Sequence, residues 1–130
     1  MIEYELRNTG RMHPEAAAEL REVRDLLMTF TEPSCIHRAD ELEGATGKVT
    51  RAMDLLGADA DRIQLRLALA IKALRAAERA AKAYRRNPVT RPISQARFAS
   101  KTGSAMGAVQ VVLEELDPAE SAARDKFHGQ

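Results

Sequence analysis

The sequence predicts an all-α protein: an antiparallel helical bundle of four main helices with a short C-terminal helix and an extended N-terminal arm. Three observations carry this. Apolar residues recur at alternating three- and four-residue steps in several stretches, the spacing of one helix face. The chain is 45% hydrophobic but only 4% aromatic, with no Trp, so its core is assembled from Ala, Leu, Val, Ile and Met, side chains suited to close helix packing. Proline and glycine fall between the periodic stretches, where helices start and stop. With 130 residues there is enough chain for one self-sufficient core, so the expected division is an arm over residues 1–12 and a single bundle domain over 13–130.

Taken in order, the first segment alternates Ile2, Tyr4 and Leu6 with Glu3, Glu5 and Arg7, which is strand-like. No second strand is legible to pair with it, so it is expected to be an arm that packs on the bundle or on a neighbouring chain. From Pro14, suited to a first helical position, Ala16, Leu20, Val23, Leu27 and Phe30 define a helix that "TEPSC" ends. A second helix is expected from about Arg38 to Leu56. Leu42, Ala45, Val49, Ala52 and Leu56 share one of its faces, Gly44 and Gly47 imply a bent or closely packed middle, and Gly57 closes it. The aspartates of "ADAD" at 58–61 are expected to cap a third helix from Asp61 to Arg86, stopped by "NPVTRP". Ser94 is the expected cap of a fourth helix that reaches Leu116 and buries Ala99, Met106, Val109, Val112, Leu113 and Leu116. Inside it, Gly103 and Gly107 have the spacing of a close backbone approach. Asp117, Pro118 and Glu120 read as the cap and first turn of the short C-terminal helix. Short connections between helices of similar length favour antiparallel neighbours.

Charge is divided unevenly along the chain. Residues 61–101 hold 11 Lys/Arg against 2 Asp/Glu, while the segments before and after are acidic, so the formal net charge of +1 conceals a strongly basic middle. At 100° per residue, Lys72, Arg75, Arg79, Lys82 and Arg86 fall within an arc of about 80° on the third helix, and Arg85 widens it. Ala76, Ala77, Ala80, Ala81 and Ala83 occupy the opposite, smooth flank. Only Glu78, four residues before Lys82, dilutes the row.

Self-repulsion along a row about 21 Å long is relieved by an anionic partner, and that length follows several phosphates. Arg91, Arg97 and Lys101 extend the track beyond the turn. The expected nucleic-acid-contacting set is therefore Lys72, Arg75, Arg79, Lys82, Arg85, Arg86, Arg91, Arg97 and Lys101. It would hold a DNA or RNA backbone without reading bases, because there is no helix-turn-helix or zinc-finger spacing and no aromatic platform. The expected role is a non-catalytic small subunit of a larger nucleoprotein complex, with other protein subunits, copies of itself among the candidates, as further partners. The alternative is a structural or adaptor assembly protein of a virion, tail or secretion apparatus, docking the same helix on an acidic neighbour.

Other constellations are weaker. Arg7, Asn8 and His13 have the R-N-x4-H spacing that resembles the ribonuclease motif of the HEPN family of all-α proteins, where the resemblance implies Arg and His polarising a scissile phosphate. In that family the motif lies in a late helix, whereas here it precedes the first helix and includes Gly10. The segment "ADELEGATG" looks like the H-x-L-K-G region of histidine phosphotransfer domains, but Asp40 stands where the phosphoryl-accepting His belongs. Cys35 and His37 form one close ligand pair where structural zinc sites use two. The carboxylates Glu114 and Glu115 lack a His at di-iron spacing. The expectation is no enzyme activity, no metal and no cofactor. A lone cysteine, no apolar run near the roughly 18 residues of a membrane span and no signal-peptide order at the start lead us to expect a cytoplasmic chain with no membrane partner.

Overall fold

The computed structural model describes residues 13–57 and 60–120, and the regular structure among them is entirely helical. The helices are α1 (Pro14–Met28), α2 (Glu41–Leu56), α3 (Asp61–Arg86) and α4 (Arg91–Leu116). A 3₁₀ segment, Pro33–Arg38, lies between α1 and α2, and a 3₁₀ turn, Pro88–Thr90, joins α3 to α4. The strand-like arm over residues 1–12 and the part of the expected short C-terminal helix beyond Glu120 fall outside the described residues. So do Arg7 and Asn8.

The bundle is antiparallel, with α1 against α2 and α4, and α2 against α3. The most extensive pairing is between α3 and α4, from an ion pair of Arg62 with Glu115 (2.7 Å) at one end to the Pro88–Thr90 turn at the other. These two helices have 26 residues each, whereas α1 and α2 have 15 and 16. At 1.5 Å per residue the α3–α4 hairpin is about 39 Å long and overhangs the shorter pair by roughly 15 Å. The α1–α2 connection covers one side of the overhang: Phe30 stacks on Phe98 with ring centroids 6.0 Å apart, and His37 meets Tyr84 edge-on at 5.7 Å. No described element covers the opposite side of the hairpin at its middle, where Leu69 is 54% exposed.

One hydrophobic cluster joins all four helices. The apolar stripe read for α2, Leu42, Ala45, Val49, Ala52 and Leu56, is buried in full, as are Ala16, Leu20, Val23 and Leu27 of α1, with Phe30 half-buried beside them. From α3 come Leu67, Ala70, Leu74, Ala77, Ala80 and Ala81. Alanine along this seam lets α3 and α4 approach closely. Gly57, with φ +76°, occupies the left-handed region that a side chain disfavours, which is how α2 ends and the chain turns into α3.

Several boundaries and contacts differ from expectation. The second helix starts at Glu41, because residues 33–38 close a tighter 3₁₀ turn first. Asp61 is the first residue of α3 and Ala60 precedes it, with no side-chain cap. The fourth helix opens at Arg91 behind Thr90, with Pro92 in the first turn where its missing N–H costs nothing. Ser94 is consequently inside the helix and buried. Phe98, Thr102 and Ala105 are buried there while Ala99 is exposed and Met106 half-buried. The apolar count followed Ala99 because the core-facing row passes through a serine and a threonine. Cβ atoms added at Gly44, Gly47, Gly103 and Gly107 would meet nothing within 4 Å, so neither glycine pair marks a close approach among the described residues.

Past the end of α4, charged groups fasten the chain to α1. Arg21 donates to Glu120 (2.6 Å) and to Asp117 (3.1 Å), Arg24 is bonded to Glu120, and Gln110 donates to the Glu120 carbonyl at 3.0 Å. Asp117 also accepts the Ala119 N–H at 3.1 Å, the bond expected of a capping aspartate. Burial alone would push the Glu120 carboxyl up, but the hydrogen bonds and charges of Arg21 and Arg24 outweigh it and hold the carboxyl below its ordinary value.

A carboxyl whose folded pKa is depressed stabilises the fold fully above its unfolded value of about 4.3, and that share is lost as pH falls through the folded value. Wild-type protein is therefore expected to lose denaturation midpoint between about pH 5 and pH 3, and Glu120→Gln to flatten that loss while lowering stability at neutral pH. Leu74, wholly buried in the seam, is expected to cost about 2–5 kcal/mol when replaced by alanine, measured by denaturant unfolding.

Candidate nucleic-acid interface

Exposure of the basic row follows from how α3 packs. Its Leu67–Ala81 stripe faces α2 and α4, which turns the arc through Lys72, Arg75, Arg79, Lys82 and Arg86 to solvent. All five, with Arg85, are exposed. Arg91 and Arg97 are exposed as well, and Lys101 is half-buried.

Ion pairing separates this row from the rest of the molecule. Among the described residues, every Lys or Arg outside 61–101 is paired with a carboxylate: Arg21 and Arg24 near Glu120, Arg38 with Glu41, Lys48 with Glu22, and Arg51 with Glu19. Within 61–101 only Arg62 is so paired, to Glu115. None of the nine expected contact residues has a carboxylate partner among the described residues. Glu78 is half-buried on α3, and the pairing with Lys82 that its spacing suggests does not form. Among the described residues the acidic surface thus neutralises its own arginines and lysines and leaves the basic arc without a carboxylate partner.

The fold changes how the nine residues relate to one another. By sequence, Arg97 and Lys101 prolong the row past the turn. The Pro88–Thr90 turn instead folds α4 back, so they lie beside Lys72 and Arg79, across a groove of about 800 Å³ between α3 and α4. Lys72 and Arg79 sit on a crest, because with Arg75 they also border a second groove of about 520 Å³ toward Met53 of α2. Arg91 is drawn away from the track. Its Nε donates to the Tyr84 carbonyl at 3.0 Å and its guanidinium lies 5.1 Å from the Tyr84 ring centroid, so it serves the end of α3. Lys82, Arg85 and Arg86 continue the row along α3 toward the turn and border neither groove.

Ala73, Ala76, Ala80 and Ala83 of α3 and Ser94, Ser104 and Ala108 of α4 also line the larger groove. Of these, Ala76, Ala80 and Ala83 belong to the smooth flank legible in the sequence and Ser94 was the expected cap; Ala73, Ser104 and Ala108 carry no such signal, although antiparallel pairing across a short turn places Lys101 opposite the alanine run. The groove exists because short side chains stand between two rows of long ones. The rings near the patch are committed elsewhere: Phe98 to Phe30, and Tyr84 to His37 and Arg91.

The remaining candidates have structural surroundings. Cys35 is buried and its thiol donates to the Thr29 carbonyl at 3.3 Å. His37 is occupied by Tyr84, and His13 is the residue preceding α1. Among the described residues there is no cluster of three potential metal ligands, and no helix is long and apolar enough to cross a membrane.

An exposed cation that repels its i−4 and i+3 neighbours contributes little to folding. Replacing Arg79 by Gln, of similar helix propensity, is expected to raise stability by about 0.2–0.5 kcal/mol for each like-charge pair relieved, less in high salt. A loss above about 1 kcal/mol in denaturant unfolding would mean that Arg79 is a structural residue.

No protein-family model, curated protein or solved structure matches the chain.

Proposed function

We propose that this chain is a non-catalytic helical subunit that contacts a nucleic-acid backbone through the basic face of α3, together with Arg97 and Lys101 of α4, inside a larger nucleoprotein complex. The observation that carries the reading is the uneven pairing of cations: carboxylates neutralise every described Lys and Arg outside the basic block, whereas its outward row has no carboxylate partner among the described residues. A polyanion supplies the missing charge at close, regular spacing, and release of its condensed counterions supplies affinity. With the neighbouring rings occupied and only alanine and serine between the cations, the surface favours phosphate contacts over base readout.

Membership of a complex is supported by apolar side chains with no described cover. Leu65 and Leu69 are 64% and 54% exposed on α3, and Val89 and Ile93 at the hairpin turn are 87% and 63% exposed. These also favour the second reading, an assembly or adaptor protein docked through the same hairpin. In that case the cations would meet an acidic protein surface.

Reversing charge at Arg75, Arg79 and Lys82 to Glu is expected to leave helical content intact, since all three are exposed and have no ion-pair partner among the described residues, while weakening oligonucleotide binding. Loss of three phosphate contacts lowers the slope of log affinity against log salt by about 2–3. Binding unchanged in the triple variant, measured by fluorescence anisotropy at several salt concentrations, would refute the proposal. Stoichiometric assembly with a protein partner and no nucleic-acid binding at low salt would establish the second reading.

A further inference from the structure

The groove between α3 and α4 is narrow, and that selects what enters it. It runs from Leu69 to Ala83, fourteen residues along α3, or about 21 Å. Packed helices stand only about 8–10 Å apart, and the accessible volume along the groove between these two is about 800 Å³. Cations rise on both sides, Lys72 and Arg79 from α3 and Arg97 and Lys101 from α4, and no carboxylate lines the groove among the described residues. Between them the floor is alanine and serine, with the Ser104 hydroxyl exposed as a donor.

We propose that this groove seats the sugar–phosphate backbone of one nucleic-acid strand, phosphates between the two cation pairs and bases turned outward, so that the protein is a binder of single strands. This rests on the nucleic-acid reading above and narrows it. A duplex, whose major groove alone is about 12 Å wide, cannot enter and is left to rest on the rims. A single strand enters lengthwise and meets charge from both walls at once. The groove length corresponds to about six phosphates at a duplex-like 3.4 Å spacing, and the four wall cations set the charge neutralised.

The outward orientation of the bases follows from the rings. Phe98 is buried against Phe30, and Arg91 lies over Tyr84, so neither ring offers a face to a base. The complex is therefore expected to be insensitive to sequence and dominated by salt. An acidic amphipathic helix fits the groove less well, because it would need carboxylates along both flanks for the whole length. A strand of phosphates carries that charge in every residue.

The test uses the full chain with fluorescein-labelled mixed-sequence oligonucleotides, one single-stranded and one the matching duplex, read by anisotropy. Four neutralised phosphates on a single strand give a slope of about −3 in log affinity against log salt, or about a 50-fold loss between about 50 and 200 mM salt. Arg97→Glu with Lys101→Glu is expected to weaken single-strand binding at least about tenfold. Ser104→Leu, which fills the floor at an exposed position without changing charge, is expected to weaken the single strand and spare the duplex. Circular dichroism of each variant establishes that it folds. Duplex binding as tight as single-strand binding, with Ser104→Leu silent on both, would overturn the groove proposal and leave the wider nucleic-acid reading standing. Failure of wild-type protein to bind either oligonucleotide at low salt, with an acidic peptide bound instead, would overturn both.

Discussion

Close packing of α3 against α4 is the constraint on which the rest of the structure depends. Alanine at 70, 77, 80 and 81 leaves the helices little to hold them apart, so affinity between them comes from many short contacts and the full burial of Leu67, Leu74, Val109 and Leu113. The same economy of side-chain volume has a second effect. Where alanine and serine continue onto the outer side of the seam, they do not fill the valley between the helices, and long cations stand on both banks. Packing and charged surface are thus two aspects of one compositional choice.

Electrostatics inside the molecule reinforces this division. The short helices and the turn after α4 are fastened by bonds in which each arginine has an assigned acid, the tightest group being Arg21, Arg24, Asp117 and Glu120. Two exposed charges contribute little to stability, but Arg24 and Glu120 are mostly buried and are tied further by Gln110. The hairpin is held by apolar burial instead, with Arg62–Glu115 as the ion pair between its two helices among the described residues. Its cations can therefore remain uncommitted without endangering the fold.

How much of this was legible in the sequence depends on what each residue type signals. Every core position named for α2 is buried, and α3 spans Asp61 to Arg86 as its apolar spacing and the NPVTRP stop suggested, although no aspartate caps it, because Leu, Val and Ala at helical spacing carry their own direction. The start of α4 was misplaced since a core row that includes Ser94 and Thr102 has no hydrophobic signature, and the buried neighbours that make those positions acceptable come from other helices. Exposure of the basic arc followed from angle alone. The groove did not: placing Arg97 and Lys101 beside Arg79 takes the hairpin's register, a property of two helices together. The local contact of Arg91 was not legible either, since charge alone does not foretell a guanidinium folded onto the tyrosine seven residues earlier.

Between Asp61 and Arg86 there is neither glycine nor proline, whereas α4 has Gly103 and Gly107 in its interior, each with open space where a methyl group would stand. Each such glycine lowers local helix stability by roughly 0.5–1 kcal/mol relative to alanine. The two banks of the valley consequently differ in stiffness: one is a rod without glycine or proline, and the other has its softest turns just past Lys101. Any widening of the cleft would begin on the glycine side, with the first rod keeping its spacing as a ruler.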